Sequence, residues 1–261
     1  MRVDLNADMG ESFGAWQMGD DHALLDIVTS ANIACGFHAG DPDVMMKTMS
    51  MAVAKNVGIG AHPGFDDLAG FGRRRISLPR KTLCNQIRYQ VAAAQGMARA
   101  AGGHVRHLKL HGALGNMASE DLQLAKDIYQ AALSVEPNII IMVLAATAQA
   151  EAVQELGCAH VAEIFADRAY NDDATLVDRS QPGAMIHDPE IAGPRIVEMV
   201  RAGAIITASG KKIPTHIDTV CLHGDGPEAI AIARSVRSCL ERADIEVKTF
   251  DGSSVSGHLV G

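Results

Sequence analysis

The sequence predicts an α/β fold, a distorted TIM-like (β/α) barrel with seven or eight parallel strands. Three observations lead there. Apolar runs of strand length alternate with helical patterns from one end to the other, which favours a parallel sheet. The 261 residues are close to the ~250 typical of such barrels. Six apolar runs end in reaction-capable residues: Asp8 with Glu11, Cys35 with His38, His62, Lys109 with His111, Glu163 through Arg168, and Cys221 with His223 and Asp225. A parallel barrel carries its active site at the C-terminal ends of its strands, so six such endings in order point to an enzyme. No repeat, low-complexity segment or linker interrupts residues 1–261, which read as one domain.

Strands are expected at 2–8, 29–35, 57–61, 105–110, 138–144, 160–165, 218–222 and 245–249. Asp41-Pro42 offers an N-cap and a proline at the first helical position, leading into Val44, Met45, Thr48 and Met51. Pro79 opens a second helix with Leu83, Ile87, Val91, Ala94 and Ala98 as its apolar stripe and Gly102-Gly103 as its stop. Ser119 is expected to cap a third, with Glu120 and Asp121 in its first turn. Gly157 closes a fourth, and Pro227 opens the last, whose inner face reads Ile230, Ala233, Val236 and Leu240. Two stretches break the rhythm. The Gly-rich loop 63–78 carries Arg73, Arg74 and Arg75 and is longer than a usual βα connection, which suits a lid closing on anions. Residues 205–213 read as a small hairpin turning on Ser209-Gly210.

The formal net charge of −8 argues against nucleic acid, which asks for a clustered basic face. The five cysteines are odd in number and lack any CxxC spacing, so they read as small core residues in a reducing compartment. The first strand begins at Arg2-Val3, leaving no room for a signal peptide. The longest apolar run, 139–146, falls short of the ~20 residues of a membrane span. A cytoplasmic protein is expected, with no nucleic-acid or membrane partner.

Strict alternation places Asp4, Asn6 and Asp8 on one face of the first strand. Polar groups inside a barrel are costly unless they bind one another, a metal or substrate. Asp4 suits a buried network at the barrel bottom; Asp8, nearer the rim, suits a metal ligand or general base. His38 and His62 end neighbouring strands. With Asp8 they make a candidate set for one divalent metal, and without an ion they are hydrogen-bonding or acid/base groups. Lys109 and His111 share a parity; a lysine inside a barrel needs a partner such as Glu163, or a substrate carboxylate or phosphate. His104 and His107 read as surface or strand-start residues. Glu163, Asp167 and Arg168 form a mixed-charge cluster, and His223 and Asp225 precede a helix N-terminus able to hold an anion. No GxxxxGK[ST], GxGxxG after a strand, or GxSxG occurs, which weakens the P-loop, Rossmann and serine-hydrolase readings.

Several of these segments are long enough to be specific. Residues 4–11 (DLNADMGE), 30–41 (SANIACGFHAGD), 60–64 (GAHPG) with 70–74 (GFGRR), 165–170 (FADRAY) and 223–225 (HGD) resemble the LamB/YcsF family, from Asp4 to about Pro227. The resemblance implies a distorted barrel related to glycoside hydrolases and polysaccharide deacetylases. It also implies ATP-dependent opening of 5-oxo-L-proline (pyroglutamate) to L-glutamate, with ATP as co-substrate and 5-oxoprolinase subunits B and C as partners. Leu110 and Gly115 stand where the family pattern has proline and tyrosine, and Asp178 stands where it has proline.

A five-membered lactam is an unreactive amide whose formation from glutamate is favourable, so opening it requires coupling to ATP. Phosphorylation of the lactam oxygen, followed by attack of a base-activated water, fits the residues. Under that reading Asp8, His111, Lys109 and His38 are the candidate catalytic residues, with Asp8 or His111 as the base. Asn6, Glu11, His62, Arg73, Arg74, Glu163, Asp167, Arg168, His223 and Asp225 are the candidate substrate-binding residues. ATP is held either at this rim or by a partner protein. Two other readings stand beside this one. The first is a self-sufficient metal-dependent deacetylase or amidohydrolase built on Asp8, His38 and His62. The second is a non-catalytic, lactam-binding scaffold.

Overall fold

The structure, a computed structural model, describes residues 1–223 and 228–251. In chain order its elements begin β1 (Arg2–Met9), α1 (Asp21–Leu24), β2 (Ser30–Ala34), α2 (Pro42–Ala54), β3 (Gly58–His62), α3 (Arg80–Ala100) and β4 (Val105–Lys109). They continue α4 (Gly112–Glu120), α5 (Leu122–Leu133), β5 (Ile140–Leu144), α6 (Ala148–Leu156), β6 (His160–Phe165) and α7 (Pro189–Ala202). Last come β7 (Ala204–Ile206), β8 (Lys212–Pro214), β9 (Thr219–Leu222), α8 (Ala229–Arg242) and β10 (Glu246–Val247).

Seven strands close a parallel ring, running β1, β2, β3, β4, β5, β6, β9 and back to β1. The short β10 is an eighth parallel strand, bonded to the start of β1. The Leu5 carbonyl accepts from the Thr29 N–H and the Val3 carbonyl from that of Lys248. β10 therefore takes, at the bottom, the same edge of β1 that β2 takes above. The expected hairpin forms outside the ring as antiparallel β7 and β8. The ring strands are buried almost throughout, because side chains fill the inside and helices cover the outside. No helix among the described residues is long and apolar enough to cross a membrane.

The helix signals act where expected, with one exception. The Asp41 carboxylate accepts from the Val44 N–H at 2.9 Å, with Pro42 opening α2. The Leu83 to Ala98 stripe of α3 is buried, and Gly157 closes α6 at φ +62°. Ser119, however, is not a cap. It lies inside α4, its hydroxyl donating back to the Asn116 carbonyl at 2.7 Å, and Asp121 caps α5 by accepting from the Leu124 N–H at 2.9 Å. The expected helix start is thus two residues early, and α4 is an element the sequence pattern does not announce. Its sequence, GALGNMASE, carries two glycines that weaken the helix signal. Tertiary hydrogen bonds support it instead: Ala113 N–H to the Gly72 carbonyl at 3.0 Å, and Gln149 Nε2 to the Gly115 carbonyl at 2.7 Å. Pro227 lies outside the described residues; α8 is helical from Ala229.

The barrel interior is polar from bottom to rim. Asp4 accepts from Thr29, Ser30 and Thr219 hydroxyls at 2.6, 2.8 and 2.5 Å, and burial pushes its carboxyl up to about 6. One step higher, the Asn6 amide donates to Thr219 at 2.8 Å while its oxygen accepts from Asn32 at 2.7 Å. Asn32 also donates to Asp8 Oδ1 at 2.9 Å. His104 is exposed as expected, but His107 is not a surface residue. It shares the inward parity of Lys109 and is fully buried, with Nε2 2.8 Å from Asn32 Oδ1.

Gly60 leaves the space that His107 fills; a Cβ there would overlap the His107 ring. Gly60→Ala is expected to destabilise the fold by about 1–3 kcal/mol through overpacking. Denaturant unfolding checks this, and a midpoint equal to that of the parent chain would contradict it.

Candidate active site

A cavity of about 610 Å³ opens at the C-terminal ends of the strands. Asp8 and Glu11 reach it from the end of β1, His62 from β3, Lys109 from β4 and His111 from the turn into α4. Glu163 enters from β6, Arg168 from the segment after it, and His223 from the end of β9. Arg73 comes from the 63–78 loop, with its guanidinium over the Phe71 ring at 4.8 Å.

The remaining predicted residues sit elsewhere. Asn6 is fully buried in the ladder below Asp8. His38 is fully buried and stacks on His111 at 3.6 Å, behind the cavity wall. Asp167 stands behind His223, both its oxygens 2.8 Å from Nδ1. Arg74 turns to Asp67 instead of the cavity, because that carboxylate sits one loop turn away. Asp225 lies outside the described residues. The structure adds three residues that the sequence reading leaves out of the site: Arg179 in the wall, and Asn32 and His107 beneath Asp8. For Arg179 no sequence pattern marks the role; for the other two the parity of β2 and β4 is the usable signal.

Lys109 is the hub. Its Nζ lies 2.8 Å from Asp8 Oδ1, 3.0 Å from Glu163 Oε1 and 2.9 Å from Cys221 Sγ, and 5.0 Å from the centre of the Phe165 ring. Burial opposes its charge, but the surrounding acidic groups, Asp8 first, outweigh burial and hold the ammonium protonated. Burial likewise raises Asp8, yet His62 and Lys109 more than compensate and keep it well below the usual carboxylate range. Glu163 is raised by burial, partly offset by Lys109. Burial also pushes Cys221 well up, so it remains a thiol despite the ammonium beside it.

The imidazoles are fixed by carbonyls. His62 Nδ1 lies 2.8 Å from the Lys109 carbonyl, and His111 Nε2 lies 2.8 Å from the Phe71 carbonyl. A carbonyl only accepts, so both of these nitrogens carry protons. When neutral, His62 Nε2 and His111 Nδ1 are then bare lone pairs, and they face each other at 3.0 Å. Burial drives His111 and His38 well below the ordinary imidazole value. Two lone pairs that close repel unless a proton or metal cation lies beside them. Asp8 Oδ2 is 3.4 Å from His62 Nε2, and Glu11 Oε1 is 3.5 Å from His111 Nδ1 and 3.2 Å from His38 Nε2.

The 63–78 loop sets this geometry. The His111 N–H donates to the Pro63 carbonyl at 2.9 Å. Gly112, at φ +52°, lies so close to the loop that a Cβ would come 2.7 Å from the Gly72 oxygen.

Glu11, His38, His62 and His111 each offer one ligand atom, and these atoms all lie within 4.8 Å of one another. The donor set fits a divalent ion that accepts nitrogen and oxygen; carbonyls anchor the far nitrogens of His62 and His111, as is usual for metal-bound histidines, while among the described residues His38 Nδ1 is buried without a hydrogen-bond partner. It differs from the expected Asp8, His38 and His62 set by having Glu11 in place of Asp8 and adding His111; Asp8 groups instead with Cys221 and His223.

A sequence profile described as the LamB/YcsF family matches residues 3–255. The chain belongs to the LamB/YcsF family. The 5-oxoprolinase A subunit of Ruegeria pomeroyi is 68% identical over 250 residues, covering 96% of this chain and 99% of the relative. The crystal structure of a lactam utilization protein from Thermus thermophilus superposes with a TM-score of 0.90 at 40% identity, over 96% of this chain and all of that one. A family 4 carbohydrate esterase from Streptomyces lividans shares the fold at TM-score 0.51 and 9% identity, over 97% of this chain and 94% of the other. The barrel implied by the family resemblance is thus the observed one, and the esterase shares its fold.

Proposed function

We propose that the chain is one component of a cytoplasmic, ATP-dependent 5-oxoprolinase that opens 5-oxo-L-proline to L-glutamate together with subunits B and C. The names of the Ruegeria and Thermus proteins supply the substrate class. One observation carries the chemistry: a pair of imidazole lone pairs, fixed toward each other at the cavity wall, beside a permanently charged lysine. That is a proton acceptor and a fixed cation in one largely buried cavity wall.

ATP phosphorylates the lactam oxygen, which makes C5 electrophilic and its oxygen a leaving group. The His62–His111 pair takes a proton from the water that attacks C5, then returns it to the ring nitrogen as the C–N bond breaks. A second water releases phosphate from the resulting acyl phosphate, giving glutamate. Lys109 faces the charge that develops on the oxygen at C5. Asp8 is the less available base of the two considered, because its Oδ1 already accepts from Lys109 and Asn32. It acts by fixing Lys109. A divalent ion held by Glu11, His38, His62 and His111 would occupy those same lone pairs, and would supply Lewis-acid polarisation of the scissile carbonyl in place of this proton transfer.

Complexes captured from the native host through this chain are expected to release glutamate from L-5-oxoproline only when ATP is present. No glutamate from captured material containing intact partners would overturn the reading. A metal-dependent amidohydrolase would take its place, favoured by the Glu11, His38, His62 and His111 group.

A further inference from the structure

Among the described residues, Arg168 is a cavity cation whose burial is only partly compensated. It lines the cavity, yet is only 5% exposed. Among those same residues it forms no ion pair. One Nη donates to the Val177 carbonyl at 2.6 Å, and the buried Nε has no hydrogen-bond partner. Its acidic neighbour in sequence, Asp167, is committed to His223. Burial, followed by the nearby Arg179, pulls the guanidinium down to about 10; Asp167 and Tyr170 offset this only in part, and Arg73 adds to the unfavourable field. Lys109 and Arg75, by contrast, are matched, the first with Asp8 and Glu163 and the second with Glu120. A buried guanidinium left without an anion is a cost to the fold. Its planar fork of N–H donors is suited to two oxygens of one oxyanion.

We propose that Arg168 is the anion anchor of this cavity, and that the ligand it receives is an oxyanion: the substrate's carboxylate, or a phosphoryl group on the activated lactam. The assignment rests on the cavity being the place where the lactam is opened. It makes two claims beyond that: the ligand is recognised through an anionic group, and Arg168 is retained at a cost in stability. The wall around it fits that role. Arg179 and Arg73 line the same cavity.

The test uses the purified full chain, with inorganic phosphate, 5-oxo-L-proline and 2-pyrrolidinone (the same lactam without its carboxylate) as probes. Calorimetry and thermal unfolding are run on the parent chain, Arg168→Met and Arg168→Lys. At least one of the two anions is expected to bind the parent chain and raise its Tm. Arg168→Met should weaken that binding about 10- to 100-fold, the size of a lost charge-assisted pair, with Arg168→Lys between the two. Without ligand, the Tm of Arg168→Met should equal or exceed the parent value, because a buried charge that lacks an ion-pair partner among the described residues is gone. A preference for 5-oxo-L-proline over 2-pyrrolidinone assigns the carboxylate, and a preference for phosphate assigns the phosphoryl group; both support the anchor.

Three results would overturn it. They are no anion binding by the parent chain, unchanged binding by Arg168→Met, and a Tm drop in Arg168→Met large enough to account for the lost binding, which would make Arg168 a structural residue. Glutamate release by the captured complex separates this from the function itself. Arg168-dependent anion binding without ATP-dependent glutamate would leave the anchor standing and remove the oxoprolinase reading. Glutamate release unaffected by Arg168→Met would do the reverse.

Discussion

Lys109→Met is expected to abolish measurable glutamate formation and to destabilise the fold by about 3–5 kcal/mol, the cost of removing one partner from a buried ion pair. The methionine keeps most of the side-chain volume, so the loss is electrostatic. Asp8 and Glu163, 9% and 3% exposed, would face each other without the ammonium that now lies 2.8 and 3.0 Å away. Denaturant titration reads the stability, and the captured complex reads the activity. Lys109→Met/Glu163→Gln, which removes one of the orphaned charges, should recover part of the stability and none of the activity. A single variant as stable as the parent would show that the triad contributes nothing net. Asp8→Asn should be milder in stability, because an amide oxygen can still accept from Lys109.

The second large effect concerns the histidine pair. His111→Ala and His62→Ala are each expected to lower turnover by roughly 10²–10⁴-fold, the range for loss of a general base. The double variant should fall no further than the worse single one, because the two lone pairs act as one acceptor at 3.0 Å. Steady-state turnover of the reconstituted complex checks this. Multiplicative losses would mean that the two rings act independently. Phe71 gives a useful contrast: its backbone carbonyl sets the tautomer of His111, so Phe71→Leu should retain that tautomer while losing the ring contacts to His111 and Arg73.

Much of the barrel is legible in the chain because periodicity reports which side of a strand is buried. All eight parallel strands and the hairpin lie where the apolar runs and the Ser209-Gly210 turn place them. The failures are local. Ser119 and Asp121 are both acceptable caps two residues apart, and only the tertiary support of α4 by Gly72 and Gln149 decides between them. His107 reads along the chain as a strand-start residue, yet it has the parity of Lys109, and the gap left by Gly60 draws it inward.

Alternation and motif are local properties of the chain, and they suffice for the strand ends that meet at the rim, for the parity that sends Asp8, Lys109 and Glu163 inward, and for membership of a barrel family. What those side chains do to one another is set by the folded molecule alone. His62 and His111 are 49 residues apart, and their tautomers are imposed by the carbonyls of Lys109 and Phe71. Glu11 joins them while Asp8 is drawn to Lys109, and Arg168 is buried without a counter-ion among the described residues. Hydrogen-bond direction and charge compensation depend on distances between segments remote in sequence, and ring closure of the barrel sets those distances.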